Sequence, residues 1–210
     1  IFFRFYCTQV MTKIVQINSS AKPSGSESTK LADKVVSRLK ELHPSATFEV
    51  RNLATEPHPT LDGAGLGAVF TPAEQRSKEQ AARAALDDAL IEQLKSADIL
   101  VLGVPMYNFH VSTQFKAWVD AVAKAGVTFK YTSEGPVGLL TGKKVYVALA
   151  RGGYYRDTPD DVQVPWLKKI LSFVGLTDVQ FFYVEGLARG DDAVAKAWSA
   201  AEEEVKSLIV

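Results

Sequence analysis

Five short strand-like runs punctuate the chain, four of them mainly apolar and one, at 48–52, alternating. They lie at residues 13–18, 48–52, 98–104, 144–150 and 179–184. The runs at 98–104 and 144–150 are apolar almost without interruption, as expected for parallel strands buried on both faces. Between the runs, apolar residues recur at helical spacing. Leu31, Val35, Leu39 and Leu42 mark one helix, and an Ala-rich helix opened by Pro72 extends to about Ser96. A third starts near Ser112 with Phe115, Val119 and Val122 inward, a fourth carries Val164, Leu167, Leu171 and Val174, and a fifth spans 191–209. Strands that alternate with helices predict a parallel sheet covered on both faces, with right-handed crossovers. The common order for five such strands is 2-1-3-4-5, with its switch point between strands one and three. Residues 53–71 read as irregular, and 126–142 as a long connection containing Phe129, Tyr131 and Pro136.

The chain is one domain over 11–210, and residues 1–10 read as an extension outside the fold. Lys plus Arg equals Asp plus Glu, 24 of each, so no basic footprint for nucleic acid exists. No apolar run approaches the roughly 20 residues of a membrane-crossing helix. The lone cysteine, Cys7, can form no intrachain disulfide and fits a reducing compartment, the cytoplasm.

In the predicted order, the loops after strands one, three and four share the carboxyl edge of the sheet, where α/β proteins bind ligands. The first loop brings Ser20, Ser26, Glu27 and Ser28 to a helix N-terminus, whose free N–H groups favour an anion. It lacks the lysine of a triphosphate-binding loop, so a terminal monophosphate fits better; plain N-capping would also explain the serines. The second loop is Pro105, Met106, Tyr107, Asn108 and Phe109. It offers aromatic faces, a polarizable thioether and an amide with donor and acceptor. The third is Ala150, Arg151, Gly152 and Gly153, whose glycines permit close approach or positive φ. Together these loops describe a ligand with a phosphate at one end and a flat polar ring at the other. That ligand is flavin mononucleotide, FMN.

With Ser112-Thr113 and residues 125–131 added, the chain from 11 to 209 resembles the FMN-dependent NAD(P)H azoreductases, flavodoxin-like homodimers related to quinone reductases. The resemblance implies a flavodoxin-like doubly wound α/β fold and tightly bound FMN. Ser20 and residues 26–28 would hold the phosphate and ribityl chain, residues 106–109 would contact the isoalloxazine, and residues 150–153 would line its pyrimidine end. NADH or NADPH would reduce the flavin and leave, and a quinone or azo compound would then take its place. The flavin carries the chemistry, so no catalytic side chain is expected. The family's site lies at a dimer interface, which makes Phe129 and Tyr131 candidate pocket walls. Glu27 departs from the pattern, since its carboxylate would repel a phosphate unless turned away.

Two other functions remain compatible with the sequence: an electron carrier that docks a redox protein, and a non-catalytic binding module. Residues 63–68 match G-x-G-x-x-G/A, but no strand precedes them; they read as a flexible loop near the site mouth. His43, His58 and His110 are too scattered for a metal site. Trp118 and Trp166 fit core or interface packing, and Trp198 fits packing of the last helix.

Overall fold

The protein was analysed as a computed structural model that describes residues 11–209. The extension read at 1–10, with Cys7, lies outside the described residues. Five parallel strands form the sheet: β1 (Lys13–Asn18), β2 (Thr47–Asn52), β3 (Ile99–Pro105), β6 (Lys144–Ala150) and β7 (Asp178–Val184). Their order is β2-β1-β3-β6-β7, the expected 2-1-3-4-5 arrangement. The two intervening strands, β4 (Phe129–Thr132) and β5 (Gly135–Gly138), pair antiparallel as a separate hairpin.

Alternation along each strand divides the core into two layers. On one face, α1 (Glu27–Leu42) and α6 (Asp191–Lys206) cover Ile14, Ile99, Val101, Ala148 and Phe182. On the other, α3 (Lys78–Ser96), α4 (Thr113–Val122) and α5 (Gln163–Val174) cover Val15, Ile17, Leu100, Leu102, Val147 and Leu149. Every residue of β3 is buried, which accounts for its unbroken apolar run. Trp118 is buried in the core beside Phe115, and Trp198 ties α6 to α1.

Three expectations need correction. The glycine-rich stretch at 63–68 is not a flexible loop. It lies within an additional helix, α2 (Gly63–Phe70), whose N-cap Asp62 accepts the Gly65 N–H at 2.7 Å. The Asp62 cap offsets part of the low helix propensity of three glycines. The helix opened by Pro72 is also not continuous. A single 3₁₀ turn, Ala73–Gln75, ends before α3 starts afresh behind a capping box made by Ser77 and Gln80. Finally, the long connection after α4 contains the β4–β5 hairpin, where Thr132 and Gly135 close a tight turn.

Candidate functional site

Four loops meet at the carboxyl edge of the sheet, and long-range hydrogen bonds fix them to one another. The Ser19 hydroxyl donates to the Gly103 carbonyl at 2.8 Å. Ser112, the N-cap of α4, donates its hydroxyl to the Ser19 carbonyl at 2.6 Å and accepts the Phe115 N–H. The Ser20 and Tyr107 hydroxyls share a hydrogen bond at 3.0 Å, so the loop after β1 is tied to the loop after β3. The loops after β6 and β7 are joined through backbone: Gly186, Leu187 and Ala188 N–H groups donate to the carbonyls of Gly153, Arg151 and Gly152.

The N-terminus of α1 is open toward this edge. Its N-cap Ser26 makes no side-chain cap; instead the Ser26 and Ser28 hydroxyls pair at 2.9 Å. Both serines are buried, and one hydroxyl proton of the pair has no acceptor among the described residues. The N–H groups of Glu27, Ser28 and Thr29 also lack an acceptor there. Buried donors without acceptors are costly unless a ligand or water satisfies them, and the helix dipole favours an anion at this place. The Glu27 carboxylate does not oppose it. That group accepts from Trp198 Nε1 at 2.9 Å and pairs with Lys30 at 2.6 Å, so only the Glu27 backbone serves the anion site. Gly103 allows α1 to approach this closely. A Cβ at that position would stand 3.0 Å from Asn18 Oδ1 and 3.1 Å from the Ser28 carbonyl.

The turn after β3 is strained. Tyr107 and His110 exchange both backbone hydrogen bonds, leaving Asn108 (φ 49°) and Phe109 (φ 67°) as the two residues of a hairpin turn. Such a turn needs positive φ at both positions. Asn tolerates it, whereas Phe at that φ is strained. The Asn108 and Phe109 side chains are exposed, and their N–H groups have no acceptor among the described residues. Phe109 leans edge-on against Tyr155, with ring centroids 5.7 Å apart.

Gly152 and Gly153 likewise present N–H groups with no acceptor among the described residues. Neither has positive φ, and a Cβ on Gly152 would meet only Ala188, at an ordinary 3.5 Å. A Cβ on Gly153 would meet the Tyr155 ring at 2.9 Å. The Arg151 side chain does not face a ligand: it is 0% exposed and paired with Asp161 and Glu185.

Ser26, Ser28, Pro105, Tyr107, Gly152 and Leu187 border a cavity of about 130 Å³. This corresponds to about four water volumes, enough for a phosphate group, and it opens beside the exposed turn. A larger cavity of about 500 Å³ lies between α2 and α3. Its polar lining is already satisfied internally: Asp62 caps α2, and Arg83 binds Asp87 and His58.

Phe129 and Tyr131 stand apart from these loops within one chain. The hairpin packs on the far end of α5, where the Leu140 N–H donates to the Val174 carbonyl and Gly138 lies against Gly175. Gln163, at the other end of α5, touches the site loops, and twelve residues of helix separate the ends by about 18 Å. Phe129 is buried against Phe173 at 4.3 Å, while the Tyr131 ring is 74% exposed. Sequence reasoning missed Gly103, Leu187, Lys22 and Gln163. Gly103 alone left a signal, as a lone glycine inside an apolar strand, which marks close backbone approach. No group of His, Cys, Asp and Glu suited to a metal exists among the described residues.

Known proteins resemble this chain in sequence and in fold. Residues 12–209 match the family described as "Flavodoxin-like fold". An FMN-dependent NADH:quinone oxidoreductase of Dechloromonas aromatica (strain RCB) is 61% identical over 197 residues, covering 94% of this chain and 99% of that protein. One of the same name from Burkholderia pseudomallei (strain K96243) is 54% identical over 198 residues, covering 94% and 100%. Among solved structures, an FMN-dependent NADH-azoreductase from Bacillus anthracis str. Ames Ancestor, in complex with FMN, superposes with a TM-score of 0.84 at 28% identity, covering 95% of this chain and 100% of that one. An azoreductase from Bacillus anthracis str. Sterne gives 0.85 at 29% identity, covering 93% and 97%. The chain thus belongs to the flavodoxin-like family that contains the FMN-dependent NADH:quinone oxidoreductases.

Proposed function

We propose that this protein is an FMN-dependent oxidoreductase that passes two electrons from NADH to quinones and azo compounds. The observation that carries the reading is the convergence of unpaired donors at one sheet edge: the α1 N-terminus with Ser26 and Ser28, the turn at Asn108 and Phe109, and the pair Gly152 and Gly153. These fit FMN in kind. The α1 donors and Lys22, which forms no ion pair among the described residues, suit the phosphate. Met106, Tyr107 and Phe109 offer apolar and aromatic surface to the ring, and the Gly152 and Gly153 N–H groups suit its carbonyl-bearing end. Bound FMN supplies two-electron chemistry between a nicotinamide and a quinone or azo group.

The chain's own residues bind and orient. Fixed N–H dipoles at the Gly152–Gly153 edge stabilise negative charge without reorganising, which is electrostatic preorganisation. His110 beside the turn packs edge-on against Trp166 at 4.8 Å, and no side chain is assigned as an obligatory acid. NADH rather than NADPH is the reductant named for the relatives. Arg151, a cation beside the site, offers nothing to a 2′-phosphate, since its side chain is buried and engaged with Asp161, Glu185 and Gln163.

The working unit is a homodimer with the site at its interface. Leu66, Val69 and Phe70 on α2, Leu86 on α3, and Tyr131 and Val137 on the hairpin are exposed apolar surface that a partner would cover. Tyr131 of one subunit would then wall the partner's site; its distance from its own chain's loops supports this reading. Light scattering on a sizing column tests the dimer, and a monomeric flavoprotein with full activity would remove this part.

The function itself is tested by reconstituting the protein with FMN, desalting it, and titrating anaerobically with NADH. A retained visible band that bleaches, then returns on adding a quinone or azo dye, is the expected result. A band that NADH leaves unchanged would favour the electron carrier, and no retained flavin would refute the site.

A further inference from the structure

Beneath the candidate site lies a buried polar network that the function above does not use. Arg151 Nη1 lies 2.8 Å from Asp161 Oδ2 and 3.1 Å from Glu185 Oε1, and Nη2 lies 3.2 Å from Asp161 Oδ1. Asp161 also accepts the Val164 N–H at 3.0 Å, which holds the first turn of α5. Arg151 Nε then donates to Gln163 Oε1 at 3.1 Å. A guanidinium can only donate, so the amide orientation of Gln163 is determined: its oxygen faces Arg151 and its NH₂ faces away. That NH₂ donates to the Pro105 carbonyl at 2.9 Å and the His110 carbonyl at 3.4 Å. Gln163 and Arg151 are both almost completely buried.

Pro105 and His110 flank the strained turn at 106–109, and Arg151 immediately precedes Gly152 and Gly153. One amide therefore touches both ends of the turn and, through Arg151, the neighbouring donor loop. No other side-chain hydrogen bond among the described residues joins these two loops.

Resting on the flavin reading above, we propose that Gln163 is a positioning residue that couples the two ring-facing loops through Arg151. It sets where the Asn108–Phe109 turn stands relative to the Gly152–Gly153 donors. With the NH₂ gone, the Pro105 and His110 carbonyls lose a buried partner, and the strained turn is held to the Gly152–Gly153 loop only at its base, by the Met106 N–H on the Ala150 carbonyl at 3.0 Å, so its tip can shift. The loops then hold a planar ring less well, although α1 and its anion site are untouched.

The test compares wild-type protein with Gln163→Glu and Gln163→Leu. Glutamate keeps the acceptor for Arg151 but presents no N–H to the carbonyls while ionised. Leucine removes both contacts. Both variants are expected to bind FMN about tenfold more weakly, the equivalent of one lost buried hydrogen bond. The visible band and midpoint potential of the bound flavin should move with the affinity. The dissociation constant of inorganic phosphate itself, obtained from its competition with FMN, should be the same in all three proteins, because the α1 site is unaltered. A purely structural role would lower the apoprotein's melting temperature and leave the bound flavin's spectrum and potential as in wild type; that result would overturn the proposal.

Amide exchange in the wild-type apoprotein gives a second measurement if a variant does not fold. The Tyr107, His110 and Arg151 amides, all hydrogen-bonded to backbone, should open with one common free energy. Opening of the turn independently of Arg151 would refute the coupling. Failure of the wild-type protein itself to retain FMN would refute the flavin reading. Retained FMN with unchanged variants would refute the coupling alone.

Discussion

Replacing Phe109 with glycine separates what the turn does for folding from what it does for the ligand. Phe109 has φ 67°, a left-handed conformation that costs an L-residue with a Cβ about 1–2 kcal/mol. Glycine removes that strain. Against this, glycine loses more backbone entropy on folding, about 0.5–1 kcal/mol. The edge contact with Tyr155 at 5.7 Å is also lost. Such aromatic pairs are worth about 0.5–1.5 kcal/mol, and the low end applies because Phe109 is 54% exposed. The terms nearly cancel, so the apoprotein should change stability by less than about 1 kcal/mol in urea denaturation. FMN affinity should nevertheless fall several-fold, since an exposed, strained aromatic that adds nothing to folding has its use in binding. Loss of more than about 2 kcal/mol from the apoprotein would make the ring structural. Unchanged FMN affinity would place it outside the site.

Other substitutions probe the remaining parts. Asn108→Gly keeps the positive φ and removes the amide, so weaker flavin retention and slower reduction by NADH should appear with little loss of apoprotein stability. Gly103→Ala forces a Cβ against Asn18 and the Ser28 carbonyl; overpacking should cost about 1–3 kcal/mol and weaken binding of FMN, both readable by thermal melts with and without the flavin. Gly138→Ala would place a Cβ on the Gly175 backbone, so the hairpin should detach from α5 and expression of folded protein should fall steeply. His58 provides a pH test. Burial and the Arg83 charge hold its pKa below the ordinary 6.5, with Asp87 opposing. The folded protein then stays unprotonated while the unfolded chain takes up a proton, so this stability is present above 6.5 and is lost as pH falls below it, by at most about 1.4 kcal/mol per pH unit. His58→Gln should flatten that slope below pH 6.5 in urea titrations.

The sheet was legible because its information is local. A seven-residue apolar run such as β3, too short for a helix of ordinary length, has the pattern of a doubly buried strand, and the serines, Met106–Phe109 and Gly152–Gly153 drew notice by following such runs. Errors arose where a short-range signal was weighed too lightly. Asp62 before three glycines, and Ser77 three residues before Gln80, are helix-starting signals that mark α2 and the restart of α3.

What the sequence could not disclose is where a side chain points once partners distant in the chain have been assembled. Arg151 stands in the middle of a ligand-facing loop, and a cation beside a ring that accumulates negative charge is an attractive local reading. Its direction is decided instead by Asp161, ten residues on, and Glu185, thirty-four residues on, which converge on it only after β6 and β7 have paired. Glu27 shows the converse. Beside a phosphate site its charge is a local contradiction, removed by Trp198, 171 residues away on the last helix. In both cases the side chain serves the frame: the Arg151 N–H is itself bonded to the Val184 carbonyl, and of the two backbones only that of Glu27 presents an N–H without an acceptor among the described residues. Many of the free donors at this edge are therefore main-chain groups, whose identity no residue type encodes and whose placement depends on the side chains turned inward behind them.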